Sequence, residues 1–310
     1  MNFFQNNRLR ILNFTHGDMD GAVSNIIIKN YYKNVITYTI GNDKKGNNDI
    51  IAKLTANSKK FDAIIFTDVC PENLAQVIAF GKPVLVLDHH ECNLKYNNPK
   101  ENIYVATICC ASKMAYQYFN TNDSLKKLEE LVNLTNDHDL YLKKDIRSPH
   151  YNSLFWKMGF EWFVERFYDG DMKLSESESK YLIRRKKEFD KLYKNLEIHE
   201  LGEKGVLCES DNFIYELFEA LKKDGYEWCM IYRSNGYVSI RSSEESRINL
   251  LKVCEKLEKG GGHKHAIGMP LEKNNLLQLA KDVEKAIIEV KSDELINQNI
   301  NDDFMSKLHS

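Results

Sequence analysis

Residues 84–90 read Val-Leu-Val-Leu-Asp-His-His, "VLVLDHH". Four apolar residues, all of them branched, run into an acid and two adjacent imidazoles. A short continuous apolar run suits a strand buried on both faces, as in a parallel sheet covered by helices. The polar end then falls at the strand's carboxyl edge, where open parallel sheets place their ligands.

The same arrangement recurs upstream. "RILNFTH" is a strand that delivers His16, followed by Asp18 and Asp20 in "THGDMDG". "FDAIIFTD" is another and delivers Asp68. "VITYTI" and "NIYVAT" complete a set of five, and the intervening segments, such as "DGAVSNIIIKNYYK" and "PENLAQVIAFG", have helical spacing. Three strands thus point His and Asp at one edge. Further on, "TNDHDLY" adds Asp137, His138 and Asp139 at the end of a helix. A single acid after a strand serves as a turn or cap residue. In register at several strand ends, such residues imply a shared crevice.

Four or five carboxylates in one pocket repel one another unless cations are present. Imidazole mixed with carboxylate, without thiolate, suits Mn²⁺, with Mg²⁺, Co²⁺ or Zn²⁺ as substitutes. Six or seven ligands exceed one ion's needs and match two ions roughly 3.5–4 Å apart, a site that hydrolyses phosphoesters.

Composition sets wider bounds. The chain has 310 residues, 43% hydrophobic and 28% charged, with 43 basic and 45 acidic residues and a net charge of -2. That is an ordinary globular composition and speaks against a tight grip on long DNA, which needs many phosphate contacts. The seven Cys show no CxxC, which fits reduced thiols. The absence of a long apolar run and of a signal-type start in "MNFFQNNRLR" predicts a cytoplasmic protein with no membrane partner.

The expected fold is α/β: a parallel-sheet domain over 1–150, a helical connector over 151–204, a smaller α/β domain over 205–292 and a polar, frayed tail over 293–310. The connector contains the aromatic-rich "HYNSLFWKMGFEWFVERF" and a long charged helix over Ser175–Glu200. In the second domain "EWCMIYRSNGYVSIRSS" reads as a hairpin turning at "SNG". "RINLLKVCEKLEKGGGH" reads as a helix ending in Gly260, Gly261 and Gly262. Three glycines exceed what a helix cap requires and predict a backbone nest for phosphate or ribose. His263 and Arg241 are placed to add charge-assisted hydrogen bonds.

The order "HGDMDG … FTD … LDHH … NDHD", followed by "VSIRSS" and "GGGHKHAIG", resembles the DHH phosphoesterase superfamily, in the branch with the DHH-associated C-terminal domain. The resemblance covers about residues 10 to 270. It implies that His16 and Asp18 hold the first metal, that Asp20 helps hold the second, and that Asp68 bridges both. It also implies that His89 and the acid of the fourth motif complete the second site, that Asp88 orders the neighbouring imidazole, and that His90 contacts the scissile phosphate or protonates the leaving oxygen. "HDLY" is similar to the "D-x-W" ending of one oligoribonuclease subgroup, which favours Asp139 as the ligand and leaves Asp137 as a neighbour or cap. The chain departs from the pattern at "HKHAIG", where small residues are usual, and Ile267 is expected to crowd the pocket.

The resemblance implies a two-metal phosphodiesterase acting on short RNA or DNA oligonucleotides, like the oligoribonucleases (nanoRNases), with room for a homodimer. Alternatives are hydrolysis of cyclic or linear dinucleotides or of 3′-phosphoadenosine 5′-phosphate and a RecJ-like single-strand exonuclease; an inorganic pyrophosphatase is disfavoured because "GGGH" and the β-run with Arg241 belong to the nucleotide-handling branch. A nucleotide-sensing module without catalysis is disfavoured because no expected ligand is missing.

Overall fold

The computed structural model describes the backbone over residues 3–40, 44–271 and 275–308, and the side chains of these residues except 44–48 and 295–308. The chain forms two compact units, Met1–Leu182 and Ile183–Ser310.

In the first unit β1 (Arg10–Thr15) leads to α1 (Met19–Tyr31), β2 (Asn34–Thr39), α2 (Lys44–Asn57), β3 (Ala63–Thr67), α3 (Leu74–Ala79), β4 (Val84–Asp88) and β5 (Ile103–Val105). Then follow α4 (Ala111–Phe119), α5 (Glu129–Asp139), α6 (Ser148–Met158) and α7 (Phe160–Phe167). The five strands form one parallel sheet in the order β2-β1-β3-β4-β5.

The strand sequences explain the layers. Ile11, Ala63, Ile65, Leu85 and Leu87 face one core with α1 and α4 to α7. Their neighbours Leu12, Phe14, Ile64, Phe66, Val84 and Val86 face the other, with α2 and α3. Apolar side chains on both faces are what continuous runs require, since successive residues alternate. Each buried Val, Leu, Ile or Phe among them contributes about 1.5–3 kcal/mol relative to exposure. The strand order reverses between β1 and β3, so their carboxyl ends open a crevice.

In the second unit, after α8 (Glu176–Lys194), which crosses the boundary, come β6 (Ile198–Leu201), β7 (Gly205–Glu209), α9 (Ile214–Lys223), β8 (Trp228–Arg233) and β9 (Tyr237–Ser242). The chain continues through α10 (Leu250–Leu257), β10 (Gly261–His263), β11 (Ala266–Pro270) and α11 (Leu276–Leu308). The sheet order is β10-β11-β9-β8-β7-β6, with only β7 and β8 parallel among its pairs. The hairpin at "SNG" is present, with Gly236 at φ 79°.

Three boundaries differ from expectation. Residues 151–167 are not a connector: Tyr151, Phe155, Phe163 and Phe167 are buried in the first unit's core, and the division falls inside α8. The aromatics of this stretch pack in that core, as part of the first unit and not of a connector. The charged helix stops at Lys194, and Ile198–Leu201 pairs with β7 instead. The expected frayed tail is helical backbone through Leu308, an extension of α11. Among the described residues no helix is long and apolar enough to cross a membrane.

Candidate metal centre

The polar ends of β1, β3 and β4 converge with the end of α5. His16, Asp18 and Asp68 form one group of candidate ligands, Asp20, His89 and Asp139 a second, and Asp68, His89 and His90 a third. Within each group the donor atoms all lie within 4.8 Å of one another.

Local chemistry sets each side chain. Asp18 is the N-cap of α1, and its Oδ1 accepts the Gly21 N–H at 3.0 Å while Oδ2 lies 2.7 Å from His16 Nδ1. Gly21 is obligatory: a Cβ there would sit 2.1 Å from the His16 carbonyl oxygen. Asp20, in the first turn of α1, has both oxygens taken by the start of α4, accepting from Ala111 N at 2.8 Å and Ser112 N at 2.9 Å. Those amides carry the positive end of the helix dipole. Asp68 follows β3 with φ 60°, a conformation that Asp and Asn tolerate better than other side chains.

His89 Nε2 lies 3.3 Å from Asp68 Oδ1, 3.3 Å from Asp139 Oδ2 and 4.0 Å from Asp20 Oδ2. His90 turns its Nδ1 to Asp88 Oδ1 at 2.8 Å, and Asn93 Nδ2 donates to Asp88 Oδ2 at 2.7 Å. Asp88 stands outside the three ligand groups and orients His90.

Asp137 and Asp139 separate clearly. Asp137 is buried and accepts from Lys144 N at 2.7 Å and Ser148 Oγ at 2.6 Å, anchoring the approach to α6. Asp139 faces His89.

The electrostatics are those of an anionic cavity. Burial, then the charges of Asp18, Asp20 and Asp139, push the Asp68 carboxyl well above the usual range. Burial, then Asp20 and Asp18, do the same to Asp139. Burial also works to raise Asp18, but hydrogen bonding and charge from His16 hold it well below the usual range. Burial lowers His89. Asp68 Oδ2 and Asp139 Oδ2 are buried acceptors without a hydrogen bond. Crowded carboxylates with orphaned oxygens beside imidazoles fit divalent cations, which would neutralise the charge and occupy those lone pairs.

In the second unit Arg241, Ala266 and His263 lie in one cross-strand row over β9, β11 and β10, so Arg241 and His263 share a face. The next row on that face, Ser239, Gly268 and Gly261, is a floor of small residues. The glycines do not cap α10; Glu258, at φ 53°, does. Gly260 and Gly262 have φ 84° and 142°, and a Cβ on Gly262 would sit 2.3 Å from the Ala266 carbonyl oxygen. These two are required by the fold, whereas Gly261 faces open space. Ile267 points into the core with Val253 and Ile287, so it does not crowd this face.

Sequence reasoning missed the Ala111 and Ser112 amides, Asn93, and Asn136, whose Oδ1 accepts the Cys110 N–H at 2.9 Å. Backbone amides carry no side-chain signal, and Asn136 stood unremarked inside the quoted "TNDHDLY".

The model of the DHH family, N-terminal domain, matches residues 10–138. Among solved structures, the chain is similar to RecJ in complex with Mn²⁺ from Thermus thermophilus, with TM-score 0.58 and 13% identity, covering 91% of this chain and 52% of that one. It thus spans about half of that RecJ. It is also similar to PggH, a pGpG-specific phosphodiesterase from Vibrio cholerae, with TM-score 0.54 and 13% identity, covering 90% and 99%. An exopolyphosphatase-related protein from Bacteroides fragilis matches with TM-score 0.50 and 12% identity, covering 92% and 94%. No curated protein matches the chain by sequence.

Proposed function

We propose that the chain, whose residues 10–138 match the model of the DHH family's N-terminal domain, is a two-metal phosphodiesterase that shortens oligonucleotides of a few residues to mononucleotides in the cytoplasm. The observation that carries the reading is Asp68, which meets His89 through Oδ1 and has Oδ2, without a hydrogen bond, in the His16–Asp18 group.

His16, Asp18 and Asp68 would hold one cation, and Asp20, His89 and Asp139, with Asp68 shared, the other. Mn²⁺ is the best match to this donor set, with Mg²⁺, Co²⁺ or Zn²⁺ as substitutes. Bound divalent cations supply a lowered water pKa and neutralise charge on the phosphoryl group. The chain's own residues do the rest. Asp88, steadied by Asn93, holds the His90 ring through Nδ1. His90 would then give a proton to the departing nucleotide oxygen. Arg241 and His263 would hold a substrate phosphate, and Gly261 beside them lets the nucleotide approach the backbone.

Substrate length is inferred from charge and likeness. A net charge of -2 suits few phosphate contacts. PggH, which this chain covers over 99% of its length, is named for a dinucleotide, pGpG. The test is Mn²⁺-dependent digestion of labelled RNA and DNA from dinucleotide to about twenty-mer, with cyclic dinucleotides and 3′-phosphoadenosine 5′-phosphate alongside. Mononucleotide release that fades with length is expected. Turnover of long single-stranded DNA at the same rate would make the protein an exonuclease of the RecJ type instead.

A further inference from the structure

We infer that Asn136 is a positioning residue that sets the separation of Asp20 and Asp139 within the Asp20–His89–Asp139 group; the inference rests on the two-metal reading above.

Asp20 and Asp139 come from different helices, the first turn of α1 and the last residue of α5. Two carboxylates have no hydrogen bond with which to fix their spacing, and like charges drive them apart. The structure supplies an indirect tie. Both Asp20 oxygens are held by the amides of Ala111 and Ser112, the first two residues of α4. The residue before them, Cys110, is the N-cap of α4, and its side chain makes no capping hydrogen bond. Its own N–H is instead bound by Asn136 Oδ1 at 2.9 Å. Asn136 sits on α5, three residues, or about one turn, before Asp139. A chain of hydrogen bonds therefore runs from the Asp20 carboxylate through the start of α4 to the turn of α5 that carries Asp139.

Every member of this chain is secluded. Cys110, Ala111 and Ser112 are fully buried, and Asn136 is 6% exposed. Loss of the Asn136 amide leaves the Cys110 N–H without its acceptor, and the start of α4 is free to move, with Asp20 attached. His16, Asp18 and Asp68 do not share this tie, so the effect falls on one of two cation sites. The amides themselves cannot be substituted, so Asn136 is the side chain through which the arrangement is tested.

The experiment is calorimetric titration of the metal-free full chain with MnCl₂, with circular dichroism to verify folding. Wild type is expected to bind two ions. Asn136→Ala should weaken one of them about 10- to 100-fold, the usual cost of losing a supporting hydrogen bond behind a ligand, and leave the other unchanged. Asn136→Asp keeps an acceptor oxygen facing Cys110 and should restore the weakened site. Where Asn136→Ala does not fold, Asn136→Ser serves as the milder truncation with the same expectation. Wild-type affinity at both sites in a folded truncation overturns the inference and leaves the two-metal reading standing. Equal weakening of both sites overturns it too, by making Asn136 a general support. Failure of wild type to bind a second ion overturns the two-metal reading itself.

Discussion

Asp68 meets His89 at 3.3 Å through Oδ1, and its Oδ2 lies 3.8 Å from His16 Nδ1 on the other side. One carboxylate thus stands between two ligand groups, and its substitution is the sharpest test of the shared-ligand geometry. Because φ at this position is 60°, Asn is the replacement that leaves the backbone unstrained. Asp68→Asn is expected to lower Mn²⁺-dependent kcat/KM by about 10³-fold or more, the several kcal/mol supplied by a cation pair. The same change removes a buried, repelled carboxyl, so the metal-free variant should be more stable by about 0.5–2 kcal/mol. Retained turnover in a purified, folded Asp68→Asn protein would sink the shared-ligand assignment.

The raised carboxyls of Asp68 and Asp139 make metal binding and pH interdependent. A carboxyl raised in the folded state stabilises the fold fully below its unfolded pKa, and that contribution is lost as pH rises through the folded value. Metal-free protein should therefore lose stability as pH rises above the ordinary carboxylate range. Cations displace those protons, so the Mn²⁺-saturated protein escapes the loss. The thermal shift caused by Mn²⁺, read against a chelator control, is expected to grow with pH. A shift that stays constant or shrinks would contradict a cluster held partly protonated without metal.

What could be read from the sequence was local. The runs before His16, Asp68 and Asp88 have the apolar continuity of β1, β3 and β4, and their polar ends follow directly in the chain. What could not be read depends on distant pairing. The Ser112 amide that holds Asp20 is 92 residues away from it. β10 consists of Gly261, Gly262 and His263, which have no strand pattern and are extended because β11 pairs with them. Likewise, Tyr151 and Phe163 looked like part of a linker until the first unit's core enclosed them. The choice between Asp137 and Asp139 needed geometry, because both are acids on the same helical end.

The glycines before His263 should part into two kinds. Gly262→Ala puts a Cβ against the Ala266 carbonyl at a φ of 142°, and a cost of about 1–3 kcal/mol is expected. Gly261→Ala meets nothing within 4 Å and should leave the melting temperature near wild type. If this face grips nucleotides, Gly261→Ala, Arg241→Ala and His263→Ala should each impair a dinucleotide, the Arg241 and His263 truncations by about 10- to 100-fold. Bis-p-nitrophenyl phosphate should be affected less. Equal losses on both substrates would place His263 in the metal chemistry.

Asp137 and Asp139 offer a matched pair two residues apart on α5. Asp137 accepts from Lys144 N and Ser148 Oγ and stands outside the ligand groups that hold the imidazoles. Asp137→Ala removes the acceptor of the Lys144 N–H and the buried one of the Ser148 hydroxyl, so a stability loss of about 1–3 kcal/mol is expected, with both Mn²⁺ ions still bound. Asp139 has the opposite balance. Its Oδ2 is a buried acceptor without a hydrogen bond, 3.3 Å from His89 Nε2, in a cavity that pushes its carboxyl upward. Asp139→Asn should therefore leave the metal-free fold as stable as wild type or more so, while one Mn²⁺ ion and turnover are lost. Thermal melts with and without Mn²⁺, together with calorimetric stoichiometry, read both variants. The reverse pattern, metal lost with Asp137→Ala and kept with Asp139→Asn, would make Asp137 the fourth-motif ligand and require α5 to turn in solution.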